Sequence, residues 1–213
     1  MGESSESGMN KSITKVVHKS LGEYGKYLAM RPNGLAVQQS LDAELRRLPP
    51  GSVLVLDFQG VEMMDYSFAD EAFGSLYSRM AAREYPDRYM VLATGDDEVS
   101  QALLENIEVA LQQREVAALV VPRDKVDADP KKAAKESASW EVIGVLPEHL
   151  LDTLRAVMEK EQVTVRDLVE ALHLDSATAC NNRVAKLHQL RLVRREASIV
   201  PEGGRQYCYS SVI

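Results

Sequence analysis

Cysteine is scarce in this chain, which contains only Cys180 and Cys208 and no Cys-x-x-Cys pair. Two cysteines are too few for a disulfide framework, so we expect the protein in a reducing compartment, the cytoplasm. Clustered histidines are also lacking, and the sequence indicates neither a metal nor another cofactor. The four histidines are scattered along the chain: His18, His149, His173 and His188.

Long apolar runs are absent as well. No stretch approaches the ~18 residues of a membrane-spanning helix, so we expect no membrane partner. Residues 1–12, MGESSESGMNKS, are polar and acidic, unlike a secretory signal, and we expect them to form a flexible tail. The chain also lacks a glycine-rich phosphate-binding loop, which disfavours a nucleotide-dependent enzyme.

A length of 213 residues favours two modest domains. Residues 123–139, RDKVDADPKKAAKESAS, are charged and show no apolar periodicity, so they are predicted to be a linker. The predicted domains are therefore 13–122 and 140–213.

The N-terminal domain alternates between short apolar runs and amphipathic segments. This alternation predicts an α/β fold, with a largely parallel sheet covered by helices. We also expect an early hairpin from the segments near 13–17 and 24–30. The predicted strands are 52–58, 88–94 and 117–121, and the predicted helices are 34–48, 67–83 and 97–114.

The C-terminal domain shows three helical segments followed by two β-rich runs. Pro147 suits the start of the first helix, Thr164 can cap the second, and Ser176 can cap a third that runs to about Gln189. The two β-rich runs flank the turn PEGGR, which predicts a hairpin. The predicted inner face of the third helix is Ala179, Val184, Leu187 and Leu190.

This order resembles the winged helix-turn-helix domains of transcription regulators. The resemblance rests on TVRDLVEALHLDSATACNNRVAKLHQLRLVRRE and PEGGR, and it covers roughly residues 147–213. It implies that the third helix enters the major groove of double-stranded DNA and that the wing lies along the flanking backbone. Because such domains read paired half-sites, it also implies a homodimer.

The charge distribution supports the same interpretation. From Ser176 onward there are six lysines and arginines against two acids, a local charge of +4 in a chain of net charge −7. Hydroxyl, amide and cationic side chains of the third helix and wing suit contacts with base edges and phosphates. The predicted DNA-binding residues are Ser176, Thr178, Asn181, Asn182, Arg183, Lys186, Arg194 and Arg205.

In the N-terminal domain, the stretch VLVLDFQGVEMMDYSFADEAFGSLY (53–77) resembles the STAS-like domains of unknown function, distant relatives of the anti-anti-sigma factors. The resemblance implies a partner-binding loop at Asp65, Tyr66 and Ser67. In those factors an aspartate directly precedes a phosphorylatable serine, whereas here Tyr66 lies between them. We therefore favour a role for Ser67 as a helix N-cap over a role as a phosphorylation switch.

Three functions remain open on the sequence. The leading hypothesis is a DNA-binding transcription regulator whose STAS-like domain mediates sensing or assembly. The alternative is a protein-interaction adaptor that binds a regulatory protein partner, with a winged helix that serves assembly. An enzyme is disfavoured because no histidine, lysine or cysteine accompanies the acidic cluster of Asp57, Glu62, Asp65, Asp70 and Glu71.

Overall fold

The computed structural model describes residues 15–126, 140–199 and 205–213. These residues form an N-terminal unit built on a five-stranded sheet and a C-terminal unit of three helices and a three-stranded sheet. The predicted tail over 1–12, the predicted linker beyond residue 126 and the tip of the predicted hairpin lie outside the described residues. No helix in the described part is long and apolar enough to cross a membrane.

The N-terminal sheet is parallel except at one edge. Its order is β1-β3-β5-β6-β7, and only β7 runs antiparallel to its neighbour. The central strands β3, β5 and β6 consist of near-continuous apolar runs, as parallel strands buried on both faces require. The strands are β1 Val16–Ser20, β2 Tyr27–Leu28, β3 Val53–Asp57, β4 Met63–Met64, β5 Tyr89–Thr94, β6 Ala117–Pro122 and β7 Glu141–Gly144.

The early hairpin prediction is wrong. β1 pairs in parallel with β3, and β2 pairs in parallel with β4 in a separate two-stranded sheet. A short 3-10 helix, Leu21–Tyr24, separates β1 from β2, and its Leu21 is fully buried. Each early strand therefore pairs with a segment much farther along the chain.

The predicted helices of this domain are confirmed, with one internal irregularity. The helix predicted over 67–83 consists of α2, a π-helical turn and α3. The helices are α1 Arg31–Arg47, α2 Tyr66–Ala69, the π turn Asp70–Gly74, α3 Ser75–Ala81, α4 Glu98–Gln113 and α5 Arg123–Val126.

The N-cap of α2 is Asp65, so the prediction that Ser67 caps this helix is wrong. One oxygen of Asp65, Oδ1, accepts hydrogen bonds from the Phe68 amide at 2.7 Å and from the Ser67 hydroxyl at 2.9 Å. The other oxygen, Oδ2, accepts from the Met30 amide at 2.9 Å. A carboxylate at this position satisfies donors from two helix starts at once, which a serine hydroxyl two residues later cannot do.

Strand β7 corrects the predicted domain boundary. It pairs antiparallel with β6, with Ile143 opposite Ala118, and Ile143 is buried against the sheet. The start of the C-terminal prediction at residue 140 was therefore too early, because residues 141–144 complete the N-terminal sheet. The described start of the predicted linker, 123–126, is helical.

The C-terminal unit has the predicted three helices and hairpin. Its antiparallel sheet has the order β8-β10-β9 and packs against the helices. The core contains Leu154, Leu168, Val184, Leu187 and Tyr209. The elements are α6 Glu148–Met158, β8 Val163–Thr164, α7 Val165–Ala171, α8 Ala177–Gln189, β9 Val193–Ile199 and β10 Arg205–Ser211.

Helix α8 begins where the sequence predicts but turns a slightly different side inward. The Ser176 hydroxyl accepts from the amides of Thr178 and Ala179, which confirms the predicted cap. Cys180 is fully buried, whereas Ala179, predicted to face inward, is exposed. A spacing of four and then three residues places Cys180 on the same stripe as Val184 and Leu187.

Gly34 of α1 provides a test of the packing between α1 and α2. A Cβ at this position would lie 2.8 Å from the Phe68 carbonyl oxygen and 3.1 Å from the Phe68 Cα. Because backbone cannot move aside cheaply, we expect Gly34→Ala to lower the free energy of unfolding by about 1–3 kcal/mol. Intrinsic helix propensity alone predicts the opposite sign. Urea denaturation measures the difference.

The exposed neighbour Ala36 supplies the control. We expect Ala36→Gly to destabilise by about 1 kcal/mol through helix propensity alone. A Gly34→Ala variant more stable than the wild type would contradict the close packing of α1 on α2.

Candidate nucleic-acid interface

Helix α8 presents a polar face to solvent. Its N-terminal half and the preceding cap expose small hydroxyl and amide side chains, followed one turn later by a lysine, while the opposite stripe is buried. This face can donate to and accept from base edges and phosphates. The exposed predicted residues on it are Ser176, Thr178, Asn181, Asn182 and Lys186.

Arg183 lies at the border of this face. Its side chain is half-buried, and its Nη1 donates to the carbonyl oxygen of His149, in the first turn of α6, at 3.4 Å. Between α6 and α8 lies an open groove of about 340 Å³ that contains no carboxylate. Its lining residues are His149, Leu150, Ala179, Asn182, Arg183 and Lys186. The groove therefore suits a negatively charged group.

The wing adds a cation that sequence reasoning did not select. Arg195 of β9 is exposed, and its guanidinium lies 4.6 Å from the centre of the Tyr207 ring. Tyr207 itself is 44% exposed. Alternation along β9 could have identified Arg195 from the sequence. Neighbouring residues of a strand point to opposite faces of the sheet, so Arg194 and Arg195 cannot share one surface. Arg205 begins β10, and its side chain lies outside the described residues.

Arg194 has a different place from the one predicted. Its Nη1 donates to the Gly51 carbonyl at 2.8 Å, its Nη2 donates to the Val212 carbonyl at 3.0 Å, and its guanidinium lies 4.9 Å from the Tyr89 ring centre. Burial lowers the pKa of this guanidinium. Gly51 lies in the turn before β3 and Tyr89 begins β5, both in the N-terminal domain, so we reassign Arg194 from the DNA-binding set to the contact between the two domains.

The residues of the predicted partner-binding loop lie close together, but their polar side chains form hydrogen bonds within the N-terminal domain. The Tyr66 hydroxyl donates to Gln113 of α4, and the Ser67 hydroxyl donates to Asp65. Burial raises the pKa of Asp65, but hydrogen bonds from the amides of Met30 and Phe68 outweigh it and hold that pKa below its ordinary value. Asp65 therefore orders the loop as a carboxylate.

Apolar side chains are exposed beside this loop, and the sequence analysis missed them. Tyr27 is 65% exposed and stands opposite Met63, which is 43% exposed, in the β2–β4 pair. Met30, whose amide is bound by Asp65, is 60% exposed. Single-sequence periodicity did not reveal them, because two-residue strands are too short to show alternation.

Four of the five acids of the acidic cluster are paired with cations, and Arg31 is shared by two of them. Asp57 accepts from Arg123 at 2.7 Å, and Asp70 accepts from Arg114 at 2.7 Å and from Arg31 at 2.9 Å. Burial raises the pKa of Asp70, but the two arginines outweigh it and lower that pKa. Glu62 pairs with Lys26 and Glu71 with Arg31. Among the described residues, no group of three or more candidate ligands is arranged to hold a metal ion.

Two family models match the chain, one in each domain. Residues 147–205 match the MarR family, and residues 42–85 match a STAS-like domain of unknown function. The chain joins a STAS-like domain to a winged helix. Both predicted resemblances, and the α/β plus winged-helix fold class, are confirmed by these matches together with the element order.

One solved structure is similar over most of the chain at low identity. It is the Orc1 protein of Aeropyrum pernix in complex with DNA, at 10% identity, covering 93% of this chain and 74% of that one. Its TM-score of 0.27 is too low to support a statement about fold or function. No curated protein matches the sequence.

The position of Arg194 leads to a stability prediction. Arg194→Ala removes two hydrogen bonds from a cation and its contact with the Tyr89 ring. We expect the free energy of unfolding to fall by about 2–3 kcal/mol, measured by urea denaturation. Arg195→Ala is the matched control, because its side chain is exposed and its guanidinium lies over the Tyr207 ring, and we expect it to lose under about 1 kcal/mol. Equal losses would contradict the assignment of Arg194 to the domain contact.

Proposed function

We propose that this protein is a DNA-binding transcription regulator that acts through its winged-helix domain. The observation that carries the proposal is the exposed polar face of α8, which continues into the carboxylate-free groove beside α6. The match of residues 147–205 to the MarR family supports it. The STAS-like domain would supply sensing or assembly, and the protein would act as a cytoplasmic homodimer.

In the proposed complex α8 enters the major groove. Ser176, Thr178 and Asn181 lie at its N-terminal end, from which recognition helices reach base edges. An asparagine can pair bidentately with adenine, which would give Asn181 or Asn182 a role in sequence reading.

The cations would hold the phosphate backbone on either side of the recognition helix. Lys186 and Arg183 line the groove beside α6, and Arg195 lies on β9 of the wing, whose second strand begins at Arg205. The chain as a whole carries −7, so long-range attraction to DNA is weak and this basic edge must supply the binding. We therefore expect modest affinity that falls steeply with salt.

We propose no catalytic role for the acidic cluster. Asp57, Asp70 and Glu71 are held in ion pairs with arginines that link neighbouring elements. These ion pairs hold the ends of strands and helices together. They account for the acidic side chains at these positions without any bound substrate.

Lys186 and Arg195 test the DNA-binding proposal. We expect Lys186→Ala and Arg195→Ala each to weaken duplex binding about fivefold to tenfold, and to reduce the slope of log K against log salt by about one, because each would lose one phosphate contact. Fluorescence anisotropy with a random-sequence duplex, followed by library selection of bound DNA, measures both quantities.

Arg155 offers a control on the same domain, since it is exposed and pairs with Asp152 of its own helix. We expect Arg155→Ala to bind DNA as the wild type does. If the wild-type protein bound no duplex even at low salt, the proposal would fail.

A second candidate function is supported by the apolar patch beside the loop. Tyr27, Met30 and Met63 expose large side chains next to Asp65 and Tyr66. Exposed apolar surface of this kind is typical of protein–protein contacts. In this second proposal the protein is an adaptor that binds a regulatory protein, and the winged helix assembles the complex.

A pulldown with the full chain tests the adaptor proposal. We expect a stoichiometric protein partner that the Met63→Glu and Tyr66→Ala variants lose, because a charge or a truncation there would disrupt the apolar contact. Val109→Glu is the control, as Val109 is an exposed apolar residue of α4 outside the patch. Partner lists that are identical for all variants would count against the adaptor function.

A further inference from the structure

The exposed surface of α8 divides into two sides that differ in charge. The side toward α6 lines the groove of about 340 Å³, and it holds both the arginine and the lysine of this helix, Arg183 and Lys186. Ala179 and Asn182 line the same groove. Asn182 therefore shares its side of α8 with the two cations that would hold the phosphate backbone in the proposed complex.

The other side of α8 carries no arginine, lysine or acid. Thr178, Asn181 and Ala185 are exposed there, and none of them lines the groove. Their spacing of three and then four residues places them along one face of a helix. We call these three residues the far face. It offers a hydroxyl group, a carboxamide and two methyl groups, and no hydrogen bond to another described residue engages the carboxamide.

Arg183, the single arginine of α8, is directed away from the far face. Its Nη1 donates to the carbonyl oxygen of His149 at 3.4 Å, and its side chain is half-buried beside the groove. Arginine and lysine are the side chains that most often recognise guanine, through O6 and N7 in the major groove, and a carboxylate can accept from the N4 amine of cytosine. The far face has none of these groups, so it is poorly suited to G·C base pairs.

The groups of the far face match A·T base pairs instead. The carboxamide of Asn181 can accept from the N6 amine of adenine and donate to its N7. The methyl groups of Thr178 and Ala185 can contact the C5-methyl group of thymine. The seven residues from Thr178 to Ala185 span about 10 Å of helix, which is roughly the rise of three base pairs.

We infer that α8 recognises a short run of A·T base pairs, with Asn181 paired to adenine and Asn182 turned to the phosphate backbone. The inference rests on the proposed DNA-binding function and names the class of base pair that this function recognises. It also distinguishes two asparagines that are adjacent in the sequence. Asn181 determines specificity, whereas Asn182 adds affinity that does not depend on base sequence.

Selection of bound duplexes from a random library tests the inference with the full chain. We expect the sites of the wild type to contain a run of roughly three A·T pairs in each half-site. Asn181→Ala should lose the adenine preference at one of these positions, and Asn181→Arg should replace it with a preference for guanine. Asn182→Ala is the matched control, because it removes the same carboxamide from the groove side, and its selected sites should equal those of the wild type.

Modified bases in the duplex selected by the wild type test the contacting atoms. Replacing the adenine at that position by 7-deaza-adenine, which lacks N7, should weaken binding by the wild type about fivefold or more. The same replacement should leave the affinity of Asn181→Ala unchanged. Replacing a thymine of the run by uracil, which lacks the C5-methyl group, should weaken wild-type binding about threefold, because one buried methyl contact is lost. Fluorescence anisotropy measures these affinities.

G·C pairs in place of the A·T run would overturn the inference, and so would selected sites that Asn181→Ala leaves unchanged. An adenine preference lost in Asn182→Ala, or wild-type binding that 7-deaza-adenine does not weaken, would overturn it as well. Each of these results would leave the DNA-binding proposal standing, because duplex binding would still be observed. A wild-type protein that binds no duplex at low salt would overturn both.

Discussion

The guanidinium of Arg194 joins the two halves of this molecule. It binds the Gly51 carbonyl in the turn before β3, the Val212 carbonyl after β10 and the ring of Tyr89 at the start of β5. Because Arg194 follows α8 by only a few residues, this contact also determines where α8 lies relative to the N-terminal sheet. The orientation of the proposed DNA-binding face therefore depends on a cation that contacts the STAS-like domain.

Helix α8 consequently serves two surfaces. Its first turns expose hydroxyl and amide groups suited to base edges, and at its last residue the side chain of Gln189 donates to the Ala81 carbonyl of the N-terminal domain. Between them, the buried stripe of Cys180, Val184 and Leu187 packs the helix into the core of its domain.

The STAS-like domain depends on a comparable carboxylate. Asp65 binds the amides of Met30 and Phe68 and thereby fixes the starts of α1 and α2 together. Its Ser67 neighbour donates to the same carboxylate, so a phosphate on Ser67 would disrupt this arrangement by repulsion. The exposed apolar patch beside the loop is the surface on which the adaptor proposal rests.

Local signals in the sequence were enough to predict the longer helices, the central strands and two of the helix starts. Continuous apolar runs predicted β3, β5 and β6, and the caps Thr164 and Ser176 predicted the starts of α7 and α8, because capping involves only the next three residues. The exposed face of α8 followed from its periodicity, apart from the exchange of Ala179 for Cys180.

Only the tertiary structure decided which segments meet. It paired β1 with β3 instead of β2, placed β7 in the N-terminal sheet and made Asp65 the cap of α2. It also separated Arg194 from Arg195, which are adjacent in sequence but lie on opposite faces of β9. The type of an element depends on neighbours along the chain. The partner of a strand or a cation depends on groups far away along the chain, 143 residues in the case of Arg194 and Gly51.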